Sequence, residues 1–255
     1  MSYFVRVGDS GFEPTVHVQG AWNLEEQHIA PALGLMAHLV EVDRDARRDD
    51  GLVLVRLSYD ILGTLPMDVC EVEVRVVRPG RSIELVEAVL AHRGRPAVTL
   101  RAWLLAARDT SSVAGSGLPS IPAPADVPEW DPTTVWPGGF IESVALRRAQ
   151  EEPGRATFWV RTDVPLVDEP HSRLAAAVGL LDIANGMTVR ASPRDVMFPN
   201  LDLTAHLFRE PGEGWLGFDT TVIFGATGTG LTSSVLHDGA GPFGTLAQVL
   251  TVRPR

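Results

Sequence analysis

The sequence predicts an α+β protein in which one unit, a helix followed by an antiparallel sheet, occurs twice. In each half an apolar helical segment precedes a series of β-type segments, over residues 31–107 and again over residues 172–252. A proline-rich segment at residues 110–139 separates the halves. Short turns join the β-type segments, which favours antiparallel pairing because parallel strands need crossovers of about a dozen residues. We therefore expect two antiparallel sheets in tandem, each wrapped around a central helix.

The predicted helices are Pro31–Val40 in the first half and Ser172–Gly186 in the second. Both are apolar on nearly every side, whereas a helix with one wet face would carry a polar stripe. Each helix is therefore expected to lie in the curve of its own sheet. Ser172 is a candidate cap for the second helix, and His28 stands just before the first. A helix N-terminus has free backbone amides, so it is a candidate position for an oxyanion.

The predicted strands are segments in which β-branched and other apolar residues alternate with polar ones, the pattern of a strand with one buried face. They are Leu52–Leu62, Val69–Val77, Ser82–His92 and Arg95–Ala107 in the first half, and Leu201–Arg209, Trp215–Gly225, Thr227–His237 and Gly241–Val252 in the second.

The proline-rich segment is predicted to connect two domains, at residues 1–109 and 140–255. Proline lacks a backbone donor and fixes φ, so residues 110–139 suit neither a helix nor a central strand. Trp130 and Trp136 lie in this segment. Because a free linker rarely needs tryptophan, we expect the segment to be packed across the body of the protein.

Composition excludes several classes of function. The 255-residue chain has a net charge of −10, which argues against nucleic acid or an anionic membrane as the main partner. Cys70 is the only cysteine, which favours a reducing cytoplasm and rules out both an intrachain disulfide and a thiolate zinc site. We find no signal-peptide pattern and no apolar run of the roughly 20 residues that would span a bilayer. The sequence implies no metal and no cofactor.

Several short motifs agree in order and spacing with one known family. They are the helix end Leu181–Gly186, the strand Asn200–Leu207, the turn His237–Gly239, the last strand with Gln248, and the turn Arg78–Arg81 of the first half. On these residues the chain resembles the hotdog fold, and its tandem layout is similar to the double-hotdog acyl-CoA thioesterases of the bacterial thioesterase II type. The resemblance spans nearly the whole chain.

The resemblance implies a set of catalytic residues. In that family an Asp, a Thr and a Gln jointly position the water that attacks the thioester. Asp202 matches the Asp and Gln248 matches the Gln. The expected position of the Thr falls at Val222 or Ile223, so the third member is either displaced to Thr221 or missing.

A comparison of the two halves bears on Asp202. Its strand alternates, so Asp202 could simply face solvent. Aligning the halves, however, places Ser58 opposite Asp202 and Ala102 opposite Gln248. The polar pair thus occurs in one copy only, as one working site and one structural twin would produce.

The helix end of the second half carries a further polar cluster, Asp182, Asn185 and Gly186. This cluster is a candidate substrate-binding site, and the alternative is that it fixes the helix in its sheet. Coenzyme A is expected as part of the substrate. Its phosphates could meet arginines at the strand turns of the first half, namely Arg78, Arg81, Arg93 and Arg95.

The sequence therefore predicts a hydrolase of fatty acyl-CoA thioesters, with an acyl-CoA partner and self-association through exposed sheet edges. The alternative from another class is a non-catalytic acyl-binding protein on the same fold, since fold alone does not establish activity. A hydratase or dehydratase would need a histidine with an acidic partner, and the helices offer only His38 and Asp182, in different copies.

Overall fold

The computed structural model describes residues 1–255 and contains four α-helices and fifteen strands. The helices are α1 (Ile29–Arg47), α2 (Gly139–Glu142), α3 (Arg173–Val178) and α4 (Ala184–Met187). The strands of the first half are β1 (Phe4–Val7), β2 (Gly11–Pro14), β3 (Val53–Ile61), β4 (Cys70–Arg78), β5 (Ile83–His92) and β6 (Arg95–Leu105). Those that follow are β7 (Glu129–Trp130), β8 (Val144–Glu152), β9 (Arg155–Thr162), β10 (Val196–Met197), β11 (Asp202–Leu207), β12 (Leu216–Phe224), β13 (Thr229–Asp238), β14 (Gly241–Thr251) and β15 (Arg253–Pro254).

The structure confirms two hotdog units but corrects the prediction of two separate sheets. Thirteen strands form one continuous antiparallel sheet in the order β1-β2-β4-β5-β6-β3-β11-β14-β13-β12-β9-β8-β7. The halves meet where β3 pairs with β11, with Tyr59 opposite Leu203 and Ser58 opposite Thr204. Each of these strands would otherwise be an exposed sheet edge, and their pairing removes both edges. A small second sheet joins β10 and β15.

The two central helices differ in length and continuity. α1 is a single helix that extends the predicted Pro31–Val40 at both ends, and the Nδ1 atom of His28 caps it by accepting from the backbone N–H of Ala30 at 3.2 Å. The second helical region is interrupted. After α3, which Ser172 caps, the chain passes through a 3-10 turn at Leu181–Ile183 before α4 begins. The predicted single helix is therefore three short pieces.

Two glycines let the helices of the two halves approach closely. A Cβ atom added to Gly34 of α1 would lie 2.7 Å from the Cα atom of Gly179, which directly follows α3. Real side chains do not tolerate such a contact, so the crossing requires glycine at this point. This crossing places the end of α3 in the second half next to the first turns of α1 in the first half.

Each half also contains a hairpin that the sequence did not reveal. β1 pairs with β2 in the first half, and β8 pairs with β9 in the second. β2 lies beside β4 and β9 beside β12, so the two hairpins occupy corresponding places in the sheet. In β9 the run Phe158–Val160 is buried without alternation, so the period-two signal is lost.

The proline-rich segment is held against the body, as its tryptophans predicted. Trp136 is buried, and its indole N–H donates to the carbonyl of Gly186 at 2.8 Å. The guanidinium of Arg148 lies 3.6 Å from the ring centre of Trp130. None of the four helices is long and apolar enough to cross a bilayer.

Candidate active site

A cavity of about 390 Å³ lies where the two halves meet. The first half contributes the segment before α1, residues 20–23 and 26–29, and the segment after β3, residues 61–65. The second half contributes the helix end around residues 182–187 and the segment before β11, residues 197–201. Neither half could enclose this space alone, so the cavity is a property of the tandem.

Asp182 is the centre of the polar groups in this cavity. Its side chain is buried, and its Oδ1 atom accepts from the Nδ2 atom of Asn200 at 2.6 Å and from the Nε2 atom of Gln248 at 2.8 Å. Its other carboxylate oxygen, Oδ2, accepts no hydrogen bond from the protein and is not sealed from solvent. One oxygen is thus fixed by two amides, and the other is open to a ligand.

Each of the three side chains is positioned by a different element. Asp182 lies in the 3-10 turn at Leu181–Ile183, where the helical region is interrupted. Asn200 stands just before β11, and its Nδ2 atom also donates to the carbonyl of Asp202 at 3.0 Å, which orients the amide. Gln248 is buried on the inner face of β14. An isolated β-bridge between Asn200 and Leu250 holds Asn200 beside the strand that carries Gln248.

The environment makes the Asp182 carboxyl a suitable base. Burial raises the pKa of Asp182 to about 7, and the hydrogen bonds from Asn200 and Gln248 act in the opposite direction. A general base is most effective when its pKa is near the working pH, because it must be ionised and still bind a proton. The partners are neutral amides and no cation pairs with the carboxylate, so burial dominates.

Asp202, the predicted catalytic carboxylate, does not reach Gln248. On β11 it alternates with Leu203 and Ala205, which face the core, so Asp202 points to the outer face of the sheet. Its Oδ1 atom accepts from the backbone N–H of Val249 at 2.6 Å. The side chain of Gln248 points inward, and the structure therefore pairs it with a different carboxylate.

Thr221 also lies on the outer face. It alternates along β12 with buried residues and shares its face with the exposed Ile223. Its neighbour Thr220 points inward, where its hydroxyl is hydrogen-bonded to that of Ser234 at 2.7 Å. None of Thr221, Asp202 and Gln248 belongs to the cavity wall, but Gln248 is linked to it by its hydrogen bond to Asp182. Of the three residues predicted to be catalytic, only Gln248 reaches the site. Its partner there is Asp182, the carboxylate that was predicted to bind substrate.

The three predicted substrate-binding residues all line the cavity. Besides Asp182, these are Asn185, whose Nδ2 atom donates to the carbonyl of Phe198 at 3.4 Å, and Gly186, which accepts from Trp136. Sequence reasoning missed Asn200. It stands at the start of the motif that carried the resemblance, and an amide directly before a strand that begins with an aspartate was the available signal.

The N-terminus of α1 forms another part of the wall. His28 and Ile29 line the cavity, and no acidic residue lies in the first turn of the helix. Burial lowers the pKa of His28 to about 3, so its imidazole is neutral at ordinary pH and accepts from the Ala30 N–H. The positive end of the dipole of this 19-residue helix therefore faces the cavity.

Aromatic rings form the apolar part of the wall. The rings of Trp22 and Trp136 meet edge to face at 4.7 Å between centres, and Phe198 meets the same two rings at 5.3 and 5.8 Å. Such edge-to-face contacts stabilise the arrangement beyond its buried area. An apolar surface beside a small set of polar groups is the usual make-up of a small-molecule site.

Two family models match this chain. The acyl-CoA thioesterase N-terminal domain matches residues 18–105, and the acyl-CoA thioesterase C-terminal domain matches residues 115–252. A search of curated proteins found no match.

Several solved structures share the fold. A conserved protein of unknown function with a hot dog fold from Alicyclobacillus acidocaldarius has a TM-score of 0.77 at 17% identity, covering 97% of this chain and 95% of that one. An acyl-CoA thioesterase II from Mycobacterium marinum has a TM-score of 0.72 at 16% identity, covering 99% and 96%. The dehydratase domain from the CurF module of curacin polyketide synthase has a TM-score of 0.56 at 12% identity, covering 100% and 97%. Enzymes of different chemistry thus share this fold, and the likeness itself shows the fold alone.

Proposed function

Because the chain belongs to the acyl-CoA thioesterase family, we propose that it hydrolyses acyl-CoA thioesters with a water molecule activated by Asp182, whose carboxylate Asn200 and Gln248 hold in place. One observation carries the proposal. Two amide donors converge on Oδ1 of a buried carboxylate and leave Oδ2 of that carboxylate open, within a cavity lined by apolar side chains.

The chemical step uses the open oxygen of Asp182. Oδ2 takes a proton from water as the water oxygen attacks the thioester carbon, and the carbonyl oxygen becomes an oxyanion. When the tetrahedral intermediate collapses, the carbon–sulfur bond breaks and the proton passes to the leaving thiolate. The products are a carboxylic acid and the free thiol of coenzyme A. Asn200 and Gln248 hold the carboxylate in one orientation throughout, which removes the cost of reorienting it in the transition state.

The N-terminus of α1 supplies stabilisation for the oxyanion. The N–H of Ala30 is bonded to His28 and Pro31 has no N–H, so the backbone amide of Ile29 and the positive end of the helix dipole act on the negative charge that develops in this partly dehydrated site. No acidic side chain in the first turn opposes them. Because α1 belongs to the first half and Asp182 to the second, the two catalytic functions come from different halves.

The aromatic wall accommodates the acyl chain. Trp22, Trp136 and Phe198 offer rigid apolar surface close to the polar cluster. Burial of methylene groups against this surface contributes about 0.8 kcal/mol for each group. The acyl part of the substrate therefore lies against these rings while its thioester reaches Asp182.

The test compares Asp182, which lines the cavity, with Asp202, which lies on the outer face of the sheet. Free-thiol release from short, medium and long acyl-CoAs is followed for wild type, Asp182→Asn and Asp202→Asn. We expect Asp182→Asn to lower kcat by about 10²–10⁴-fold, the usual contribution of a general base, and Asp202→Asn to change it by less than about threefold.

The opposite ranking of the two variants would move the catalytic base to Asp202. Absence of hydrolysis for every chain length, together with measurable acyl-CoA binding, would instead establish a non-catalytic acyl-CoA-binding protein. A parallel assay with a 2-enoyl-CoA tests for hydration, the reaction that a dehydratase of this fold runs in reverse, and we expect no turnover in it.

A further inference from the structure

Arg253 provides the only guanidinium in the wall of the cavity. It lies in β15, and the pairing of β15 with β10 sets it opposite Met197. Its side chain is exposed and takes part in no hydrogen bond or ion pair with the rest of the chain. By contrast, arginines such as Arg6 and Arg209 are engaged by carboxylates. Arg253 is thus a free cation at the edge of the site.

Two further free arginines flank this position. The backbone N–H of Arg255 donates to the carbonyl of Asp195 at 2.9 Å, so the end of β15 lies beside the residues that precede β10, including Arg194. Arg194 and Arg255 are exposed and have no acidic partner. The acidic residues nearby are Glu26, which lines the cavity with Asp182, and Asp195, which follows Arg194; neither Glu26 nor Asp195 forms an ion pair. In a chain of net charge −10, this edge of the cavity is locally basic.

We infer that Arg253, assisted by Arg255, binds the phosphate groups of coenzyme A; the inference rests on the proposed function. The thioester reaches Asp182 inside the cavity, so the thiol arm must leave through the opening and carry its phosphates past the edge. A guanidinium binds a phosphate through two parallel N–H donors. Because the exposed Arg253 has no existing partner, no contact has to be broken before it binds one. A local positive edge on an acidic protein also attracts a polyanionic substrate and raises its association rate.

The experiment compares two thioesters of the same acyl group, one with coenzyme A and one with N-acetylcysteamine, which carries no phosphate. Steady-state hydrolysis is measured for wild type, Arg253→Gln and Arg95→Gln. Arg95 is a matched control because it is exposed at the β5–β6 turn, has no ion pair, and is absent from the cavity wall. It also represents the strand-turn arginines that the sequence offered for this role.

For the coenzyme A thioester we expect Arg253→Gln to raise KM roughly tenfold with kcat nearly unchanged, the size of a lost charge-assisted contact. KM for the N-acetylcysteamine thioester should stay the same, and added salt should weaken the wild-type preference. An equal effect of Arg253→Gln on both thioesters would overturn the inference, and so would a larger effect from Arg95→Gln.

A binding measurement separates this inference from the proposed function. Calorimetric titration with free coenzyme A needs no turnover, and we expect Arg253→Gln to weaken its binding roughly tenfold relative to wild type and to Arg95→Gln. Equal affinities in the three proteins would overturn the phosphate site even if hydrolysis is observed. A selective loss in Arg253→Gln would support the site even if no thioester is hydrolysed.

Discussion

The two halves carry different ionisable groups at corresponding places on their helical regions. Asp182 stands ten residues after the capping Ser172, and His38 stands ten residues after the capping His28. Asp182 faces the cavity with one free oxygen. The buried His38 instead contacts Glu169 through its Nε2 atom at 2.7 Å, and Arg6 contacts the same carboxylate at 2.6 Å.

The difference follows from the lengths of the helices. α1 continues without a break to Arg47, so its later turns fill the space beside the start of α3, where Glu41 accepts from the hydroxyl of Ser172 at 2.5 Å. The second helical region is broken after α3 and ends at Met187, and the corresponding space is the cavity. In the first half, the later turns of α1 are therefore packed and held by polar contacts. In the second half, the end of the helical region borders the open cavity.

The pKa values of these two carboxyl groups are shifted in opposite directions, because different causes dominate at each. The guanidinium of Arg6 and the imidazole of His38 hold the pKa of Glu169 at about 2, although burial opposes them. Asp182 has only amide partners, so burial raises its pKa to about 7. An ionised carboxylate is stable beside cations, whereas a carboxylate surrounded by neutral groups becomes a base. This contrast can be tested with matched variants.

The largest expected effect is on the pH dependence of hydrolysis. Asp182 must be ionised to accept a proton, so kcat/KM should approach a tenfold fall for each pH unit below its pKa, or about fiftyfold from pH 7, where half is ionised, to pH 5. Glu169→Gln should leave this profile in place. Rates of thiol release across this pH range measure both, and a profile that moves with Glu169→Gln would mean that the two clusters act together.

The second effect is on stability. The pKa of Asp182 in the folded state lies above its value in the unfolded chain, so the folded state binds the extra proton between about pH 4 and pH 7 and loses stability as the pH rises through that interval. Relative to Asp182→Asn, wild type should therefore lose about 3 kcal/mol between pH 5 and pH 8. Urea unfolding of both proteins at these two pH values tests this, and a constant difference would contradict it.

Glu169→Gln should have a smaller effect on stability, with the opposite dependence on pH. The substitution removes the negative charge that Arg6 and His38 contact. Because the Glu169 side chain is 27% exposed, we expect the free energy of unfolding to fall by about 1–2 kcal/mol at pH 7. The loss should shrink below about pH 4, because the depressed pKa stabilises the fold only while the carboxylate is ionised. The same urea unfolding measures it, with kcat expected within about twofold of wild type.

The smallest effect is expected at Thr221. The side chain of Thr221 lies on the outer face of β12. Thr221→Val should therefore change the free energy of unfolding by no more than about 0.5 kcal/mol, and kcat by no more than about the corresponding twofold. Thr220→Val is the informative companion, since it breaks the buried hydrogen bond to Ser234 and should destabilise the fold by about 1 kcal/mol. A large loss of activity in Thr221→Val would restore it as a catalytic candidate.

The repeated unit could be predicted from sequence because alternation and turns are local. All eight predicted strands exist, with ends that differ by only one or two residues from β3–β6 and β11–β14. The β3–β11 pairing could not be predicted, since it depends on how two edges find each other across more than a hundred residues. The division of the chain at residues 109 and 139 stays a prediction.

The candidate site was predicted only in part. Gln248 was identified, and Asp182 was identified with a different role. Asp202 was chosen because of its place in a matching motif, yet strand alternation sends it to the outer face while Gln248 points inward. Asn200 stands outside any strand, so no periodicity marks the direction of its side chain. Which carboxylate meets Gln248 depends on the three-dimensional path of the interrupted helix, and a sequence pattern does not contain that path.

The pairing of β3 with β11 has a consequence for how the sequence of this protein can change in evolution. In an assembly of two identical chains, every substitution appears at both symmetric positions, so a gain at one is coupled to a loss at the other. Two halves within one chain do not have that coupling, since residues 38 and 182 are separate positions of the sequence although both halves share one continuous sheet. Each position can therefore change without the other, while the pairing of β3 with β11 holds the two halves in one register.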